Sequence, residues 1–422
     1  MMPNMQGTKR RLEGGDRPLR LGAWPLLWMV LMGLMVGGCS SFPMPDMPDF
    51  FSLSDDDEEL QKSYTEPKPG KPTPLKLVWD QSISGAPEEH MEHAPVFAVD
   101  GDDLFVGTHH SSWVPHYGRS DGRVTRFSRK DGDILWSTYL GSPVSGGVAV
   151  DAQQVYAGTV DGEMVALSRR DGKVLWRQRV STTVSSAPTV AQGRVIFTTL
   201  DNRTYALSTE NGKRAWVHST LPEQLVVKGA ATPTVFADRV FVGYSSGEVF
   251  VLAIEDGRRI WTENLTVMGG RSELDMLQDI DASITVTADQ VFAVNHQGIL
   301  LSLFPDNGSR MWERRVSAMR RPLFATGRLF ISDTEGYLIA MDAMDGTPIW
   351  RTQLSDGLLT APVMFQEQVI VADNSGRIFS VEPLSGRVTG LSRLNDPIHA
   401  DPILHQDNIF IWTNDGDMYR FN

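Results

Sequence analysis

Residues 146–176 read GGVAVDAQQVYAGTVDGEMVALSRRDGKVLW, and this stretch decides the fold of the chain. Short runs within it alternate apolar and polar residues, a period that is typical of β-strands. Asp161-Gly162 and Asp171-Gly172 separate the runs, and such pairs accept the positive φ angles of tight hairpin turns. The stretch is therefore predicted to form an antiparallel meander of four strands.

The same pattern recurs along the chain. Four further copies and three looser ones, which begin near Ala94, Ala361 and Ala400, bring the total to eight. We therefore predict an all-β fold, an eight-bladed β-propeller of four-stranded antiparallel blades over residues 75–422. Four further copies end in Trp, as the first one does, and these are residues 187–216, 232–261, 282–312 and 321–350.

The ends of the repeat region predict how the ring closes. The last copy stops before its Trp-bearing strand, and LKLVWD at residues 75–80 supplies that strand, with Trp79 in the position of the repeat's Trp. Pairing of this N-terminal strand into the final blade would remove an exposed sheet edge.

The tryptophans that close the copies are predicted to be core anchors that pack one sheet on the next. The alternative, a catalytic or stacking role, would require one functional site to be repeated in six copies. The residues concerned are Trp136, Trp176, Trp216, Trp261, Trp312 and Trp350.

The formal net charge of −13 argues against a nucleic-acid ligand, because an acidic surface repels a phosphate backbone. A basic protein surface is a better candidate partner. The first 38 residues are an exception, since they contain more basic than acidic side chains.

The N-terminus is predicted to be a secretory signal over residues 1–38, because a basic region, an apolar run and small residues follow one another there. Val36-Gly37-Gly38-Cys39 resembles a bacterial lipobox, which implies lipidation of Cys39, the only cysteine. A retained transmembrane anchor is the alternative for the apolar run. Ser40 and Ser41 after the cysteine imply delivery to the outer membrane, facing the periplasm.

Residues 39–74 are predicted to be the lipidated cysteine and a flexible tether rich in proline and acidic residues. The acidic run Asp55 to Glu59 within the tether favours a solvated charge run over a cation site.

The segments ALSRRDGKVLW and AMDAMDGTPIW resemble the tryptophan-docking repeat of quinone (PQQ)-dependent dehydrogenases. This resemblance implies the fold, and it makes a periplasmic quinone-dependent alcohol dehydrogenase the alternative function. Such enzymes commonly use an adjacent cysteine pair, a calcium ion and an aspartate base. Since the chain has only Cys39, we expect no cofactor and no catalytic residues.

Five histidines cluster in the first predicted blade. Solvated loop positions are favoured over a metal site for them, since no helical period or HExxH order surrounds them. No metal site is expected, although metal binding by this cluster stays open. The residues are His90, His93, His109, His110 and His116.

The spacing between consecutive tryptophans lengthens on either side of Trp261. The additional residues are LPEQLVVKGAA at 221–231 and NLTVMGGRSELDMLQDID at 264–281. Both lie between blades, and we expect both to emerge on the same side of the ring.

A lipobox, a proline-rich tether, eight such blades and a SELDMLQDID loop after an LVVKG loop together resemble the BamB family, lipoproteins of the outer-membrane β-barrel assembly (Bam) machinery. The resemblance implies a non-enzymatic scaffold whose two loops bind the POTRA domains of BamA. The family commonly has Leu and Arg at positions 227 and 228, and Lys228 keeps the charge but lacks a planar fork. The implied binding residues are Leu225, Val227, Lys228, Asp279 and Asp281.

The residues themselves also favour an interface, since an apolar pair beside a basic residue and two carboxylates has the hydrophobic centre and charged rim of a protein contact. In the alternative, Leu225 and Val227 cap a blade and the acids are solvated. Glu273 and Asp275 stay open between rim contacts and solvated loop positions. Two mechanisms also stay open: organisation of the POTRA domains, or β-augmentation of unfolded client strands at blade edges.

Overall fold

The computed structural model describes residues 75–82, 97–110, 121–220, 231–265, 280, 283–295 and 298–422. They form eight four-stranded antiparallel sheets arranged as an eight-bladed β-propeller, so the predicted fold class is confirmed. Within these ranges, no helix is long and apolar enough to cross a membrane.

Each of the first seven blades consists of four strands that are consecutive in sequence. Blade 1 contains β2 (Ala98–Asp100), β3 (Asp103–His110), β4 (Asp121–Ser128) and β5 (Ile134–Tyr139). Blade 2 contains β6 (Val144–Val150), β7 (Gln154–Thr159), β8 (Glu163–Ser168) and β9 (Val174–Arg179). Blade 3 contains β10 (Thr189–Ala191), β11 (Arg194–Thr199), β12 (Arg203–Ser208) and β13 (Arg214–Ser219). Blade 4 contains β14 (Thr234–Phe236), β15 (Arg239–Gly243), β16 (Glu248–Ala253) and β17 (Arg259–Asn264).

The second half of the ring repeats this order, and its first strands contact one another around the centre. Blade 5 contains β18 (Thr285–Val286), β19 (Val291–Val294), β20 (Ile299–Leu303) and β21 (Arg310–Arg315). Blade 6 contains β22 (Leu323–Ala325), β23 (Arg328–Ser332), β24 (Tyr337–Asp342) and β25 (Pro348–Gln353). Blade 7 contains β26 (Val363–Phe365), β27 (Gln368–Ala372), β28 (Arg377–Val381) and β29 (Val388–Arg393). Blade 8 contains β30 (Ile403–His405), β31 (Asn408–Trp412), β32 (Asp417–Phe421) and β1 (Leu77–Ser82).

The ring closes as predicted, because the N-terminal strand β1 is the outer strand of blade 8. It pairs antiparallel with β32, with Leu77 opposite Phe421 and Ser82 opposite Asp417. The pairing continues past the strand ends, where the backbone N–H of Lys76 donates to the carbonyl of Asn422 at 2.9 Å. Both ends of the propeller are therefore held in one sheet.

The repeat's tryptophans hold each blade to the next, which confirms their predicted role as anchors. Each indole N–H donates to a backbone carbonyl in the following blade at 2.8–3.0 Å, as Trp216 does to Ile254. The ring of Trp216 lies so close to Gly257 that a Cβ added there would meet it at 2.6 Å. Because Gly257 also has a φ of +70°, the position requires glycine twice over, for its backbone and for its size.

Blade 7 lacks this anchor, since Gly390 stands opposite Ser380 where Trp350 stands opposite Ala340 in blade 6. The reason lies in the ring closure. The outer pair of blade 8 joins the two ends of the propeller, β32 and β1, so blade 8 has no hairpin turn on which a tryptophan of blade 7 could dock. Leu75 and Phe421, from these two ends of the propeller, instead join the apolar cluster between blades 7 and 8.

Two glycines separate the cost of backbone strain from the cost of crowding the tryptophan. Gly327 has a φ of +75° and nothing within 4 Å of an added Cβ. Gly257 has a similar φ of +70°, but a Cβ added there would meet the ring of Trp216. We expect Gly327→Ala to lower the free energy of unfolding by about 1 kcal/mol. Gly257→Ala should cost about 2 kcal/mol more, because it also crowds a packed interface. Equal losses in urea unfolding would contradict the docking role.

Candidate docking surface

The direction of the strands gives the ring two different faces. The fourth strand of each blade ends on one face of the ring, and the chain passes to the next blade there. The hairpins between second and third strands lie on the same face. We call this the connector face, and the opposite one, with the other two hairpins, the hairpin face. The two insertions follow β13 and β17, which are both fourth strands, so their described ends lie on the connector face as predicted.

The residues that sequence predicted for the site all lie outside the described residues, as do the signal segment and the tether. The side chains of the five clustered histidines also lie outside them. Among the side chains that are described, no group of three or more His, Cys, Asp or Glu residues is placed to hold a metal ion. The predicted site residues concerned are Cys39, Leu225, Val227, Lys228, Glu273, Asp275, Asp279 and Asp281.

The described ends of the second insertion are fixed in the core between blades 4 and 5. Leu265, Ile280 and Ile284 are each 1% exposed and belong to one apolar cluster. The carbonyl of Leu265 accepts a hydrogen bond from the side-chain amide of Asn295 at 2.8 Å. The carbonyl of Ile284 accepts one from the hydroxyl of Thr234 at 2.8 Å. The insertion therefore starts and finishes at rigid points.

Ile280 occupies a position that belongs to the repeat itself. A Cβ added to Gly243 would lie 2.4 Å from Ile280 Cγ2, and the same close contact joins Gly158 to Val184 in blades 2 and 3. The Trp spacing predicts the extra residues at 264–281, but Leu265 and Ile280 are part of the propeller framework. The extra residues therefore lie between these two.

Sequence reasoning missed Ile280 as an anchor, although a signal was present. Val184 stands five positions before Thr189, the first residue of β10, and Ile280 stands at the same distance before Thr285, the first residue of β18. In sequence, Asp279 and Asp281 are the residues on either side of Ile280.

The described ends of the first insertion are also held, at the junction of blades 3 and 4. The backbone N–H of Thr220 donates to the carbonyl of Asn202 at 3.3 Å, and Ala231 is 1% exposed. The side-chain amide of Asn202 donates to the hydroxyl of Ser245 at 2.6 Å, which links the hairpins of the two blades. The two insertions thus bracket blade 4 on one face.

His218 and two aromatic residues fill the space beneath this junction. The ring of His218 lies 5.2 Å from that of Phe250 and 6.5 Å from that of Tyr244. Burial, together with the nearby charge of Arg259, lowers the pKa of His218. The imidazole is therefore neutral at pH 7 and serves as packing.

The hairpins of the connector face carry nine acidic residues, and five of them pair with arginines. Two of these carboxylates have structural roles in hairpins. Burial raises the pKa of Asp333, although Arg351 binds it at 3.1 Å. Burial also opposes ionisation of Asp373, but hydrogen bonds from Arg377, Ser355 and Ser375 outweigh it and lower its pKa. The acidic residues in the hairpins of this face are Asp161, Glu163, Asp201, Glu248, Asp333, Glu335, Asp373, Asp415 and Asp417.

Comparison with known proteins identifies the family. The family model described as "Outer membrane protein assembly factor BamB" matches residues 120–352 and 340–422. The chain belongs to the BamB family. A BamB of Pseudomonas aeruginosa is 36% identical over 347 residues, which cover 82% of this chain and 84% of that protein. One from Kangiella koreensis is 39% identical over 239 residues, or 57% of this chain and 61% of the relative.

Solved structures agree with the BamB assignment at the level of the fold. BamB from Moraxella catarrhalis superposes with a TM-score of 0.71 at 21% identity, covering 82% of this chain and 99% of that one. A europium-containing methanol dehydrogenase superposes with a TM-score of 0.63 at 13% identity, covering 83% and 87%. The second likeness shows a shared propeller architecture and nothing about activity.

Replacement of Ile280 tests whether this residue anchors the end of the second insertion in the core. We expect Ile280→Ala to lower the free energy of unfolding by about 2–4 kcal/mol, because it opens a cavity over Gly243. Leu358→Ala is the matched control, since Leu358 lies on another connector and is 41% exposed. The control should change stability by less than about 0.5 kcal/mol. Similar losses for both variants in urea unfolding would show that Ile280 is not an anchor.

Proposed function

We propose that this outer membrane protein assembly factor is a non-enzymatic scaffold whose two insertions bind the POTRA domains of BamA within the Bam complex. One observation carries the proposal: both insertions start and finish at points that are buried or hydrogen-bonded on one face, on either side of blade 4. Binding residues on such supports lose little freedom on association, which favours affinity.

The proposed contact has an apolar centre and a charged rim. Leu225 and Val227 would supply the centre and Lys228 a basic contact, while Asp279 and Asp281 would pair with basic residues of BamA. Glu273 and Asp275, which belong to the same insertion, would lie at the rim, where solvent weakens ion pairs.

A role without catalysis is supported by the residues that the chain lacks. The sequence has one cysteine, so the adjacent cysteine pair common in quinone-dependent alcohol dehydrogenases cannot form. The likeness to a methanol dehydrogenase rests on 13% identity and concerns the propeller alone.

The proposed anchor is a lipid on Cys39, after removal of residues 1–38, with residues 40–74 as the tether from the outer membrane into the periplasm. A flexible chain of about 35 residues spans on the order of 30 Å. The tether joins the ring at the hairpin-face end of β1, because Leu77 pairs with Phe421 at the end of β32. The connector face therefore lies at the other end of β1 from the point where the tether is attached.

Charge reversal of the acidic pair tests the docking site. We expect Asp279→Arg with Asp281→Arg to reduce recovery of BamA in a pull-down at least tenfold, because two attractive contacts become repulsive. Glu255→Arg with Asp256→Arg is the matched control, since it makes the same charge change in an exposed turn of the hairpin face. Undiminished recovery with the first variant, or an equal loss with the second, would contradict the assigned site.

Membrane fractionation tests the anchor separately. Cys39→Ala should release the protein from outer-membrane fractions of cells whose BamA is depleted, since no acyl chain would hold it. Ser41→Ala keeps the cysteine and should stay in those fractions. Retention of Cys39→Ala in the same cells would show that another segment binds the membrane.

How the scaffold assists client proteins divides into two mechanisms. In the first, the ring organises the POTRA domains; in the second, a blade edge pairs with an unfolded strand. Asp279→Arg with Asp281→Arg would remove only the organisation of the POTRA domains, whereas a proline in an outer strand would remove only the pairing with an unfolded strand. The rate at which each variant restores barrel insertion in reconstituted membranes distinguishes the two.

A further inference from the structure

Two arginines stand where other blades have small residues. In five blades a proline comes directly before the first strand, as Pro322 does before β22 in blade 6. The two residues before this proline are Arg320 and Arg321, which we call the central arginine pair. Two long cations at a position that three other blades keep small indicate a role other than packing. The corresponding residues in blades 3, 4 and 7 are Ser186-Ala187, Ala231-Thr232 and Thr360-Ala361.

The central arginine pair lies at the centre of the ring, on the connector face. The first strands are the innermost ones, and the chain enters each of them from the connector face. Arg320 extends past blade 7 and donates to the carbonyl of His399 in blade 8 at 3.1 Å. Arg321 turns the other way, and its Nε lies 3.5 Å from the hydroxyl of Thr285 in blade 5. The pair therefore spans blades 5 to 8.

The positive charge of the pair is only partly neutralised. Asp401 of blade 8 faces it, but Arg320 Nη1 lies 3.7 Å from Asp401 Oδ1, which is longer than a hydrogen bond. The same carboxylate oxygen accepts the backbone N–H of Ala361 at 2.8 Å. Among the residues that the structure describes, no carboxylate lies within 4 Å of the Arg321 guanidinium. Two cations thus share one carboxylate.

The guanidinium of Arg321 is reached by solvent and is nevertheless enclosed by protein. Arg321 is exposed, but burial among the surrounding blades lowers its pKa, and the charge of Asp401 only opposes this shift. Both findings fit a cation that is open towards the connector face and surrounded on its other sides. Such a cation is less screened by water than one on an open surface, so it attracts an anion more strongly.

We propose that the central arginine pair binds an acidic side chain of the protein that docks on the connector face. A carboxylate fits the planar fork of a guanidinium and can accept two parallel hydrogen bonds from it. A single carboxylate also avoids the repulsion that a net charge of −13 imposes on a polyanion. The inference rests on the proposed function, because it assigns a further contact on the face from which the two insertions emerge.

The contact would fix the orientation of the partner. The acidic residues of the second insertion require basic residues of the partner, whereas the central arginine pair requires an acidic one. A partner held at two points of opposite charge has one favourable orientation, since a rotated partner would bring like charges together.

Chemical modification of arginine tests the site in the unaltered chain. We expect acetate, as the carboxylate probe, to slow the reaction of Arg321 with phenylglyoxal about threefold relative to chloride at equal ionic strength. Arg170 is the control, since it is exposed in a hairpin of the opposite face and should react equally in both salts. Peptide mass spectrometry measures each rate. Equal protection by chloride, or equal protection of Arg170, would indicate an adventitious ion only and overturn the proposal.

Charge reversal then distinguishes a partner's carboxylate from a free one. Arg321→Glu should reduce recovery of BamA about threefold, and Arg321→Lys should reduce it less, because lysine keeps the charge without the fork. Arg170→Glu makes the same charge change and should leave recovery unchanged. Protection by acetate combined with undiminished recovery for Arg321→Glu would overturn the assignment to a partner. Equal midpoints of urea unfolding check that each variant folds.

The outcomes separate this contact from the docking site of the insertions. If Asp279→Arg with Asp281→Arg recovers BamA normally while Arg321→Glu does not, the insertions are excluded and the central contact stands. If only the insertion variant loses BamA, the central contact is overturned and the proposed function stands. The acetate experiment contains no BamA, so its result is independent of both.

Discussion

The docking of a tryptophan on the glycine turn of the next blade is the contact on which the rest of the ring depends. It joins three requirements in one place: a buried aromatic ring, an indole N–H with a carbonyl partner, and a turn residue of positive φ without a side chain. A four-stranded sheet cannot bury its own apolar faces, so each blade gains its stability from its neighbours. Seven such contacts leave one junction, between blades 7 and 8, where the two ends of the propeller meet and apolar packing replaces the tryptophan.

This repeated contact also determines where function can be added. Because every blade docks in the same way, every connector crosses to the next blade on the same face. An insertion between Leu265 and Ile280 lengthens one connector while both of its ends stay in the positions that the repeat provides. Additional residues then disturb no strand and no interblade contact. Rigid elements with variable connections between them are a common basis for binding sites.

Much of the fold was predictable from the sequence because the same signals for strands and turns recur in eight copies. Strand alternation, Asp-Gly turns and closing tryptophans predicted the blades, and the unpaired Trp79 predicted the closure. Ile280 was overlooked because the residues on either side of it in sequence, Asp279 and Asp281, are acidic. The exposure of Leu135 and Leu175 was also beyond sequence reasoning. Apolar residues occupy that position in other blades too, as Ile260 does, and only the packing of adjacent blades decides whether they are covered. The docking residues themselves were predicted from the family resemblance, since their residue types alone fitted a solvated loop equally well.

The distribution of charge differs around the outer edge of the ring. Arginines begin the outer strands of blades 3, 4 and 5, the blades on either side of the two insertions. Charges on an edge strand discourage pairing with other chains. The uncharged outer strand is β5 of blade 1, next to the blade that contains the N-terminal strand β1. Because no charge opposes pairing at β5, this edge is the one most open to strand addition. A contact through the insertions and a strand added at β5 would therefore use different parts of the ring.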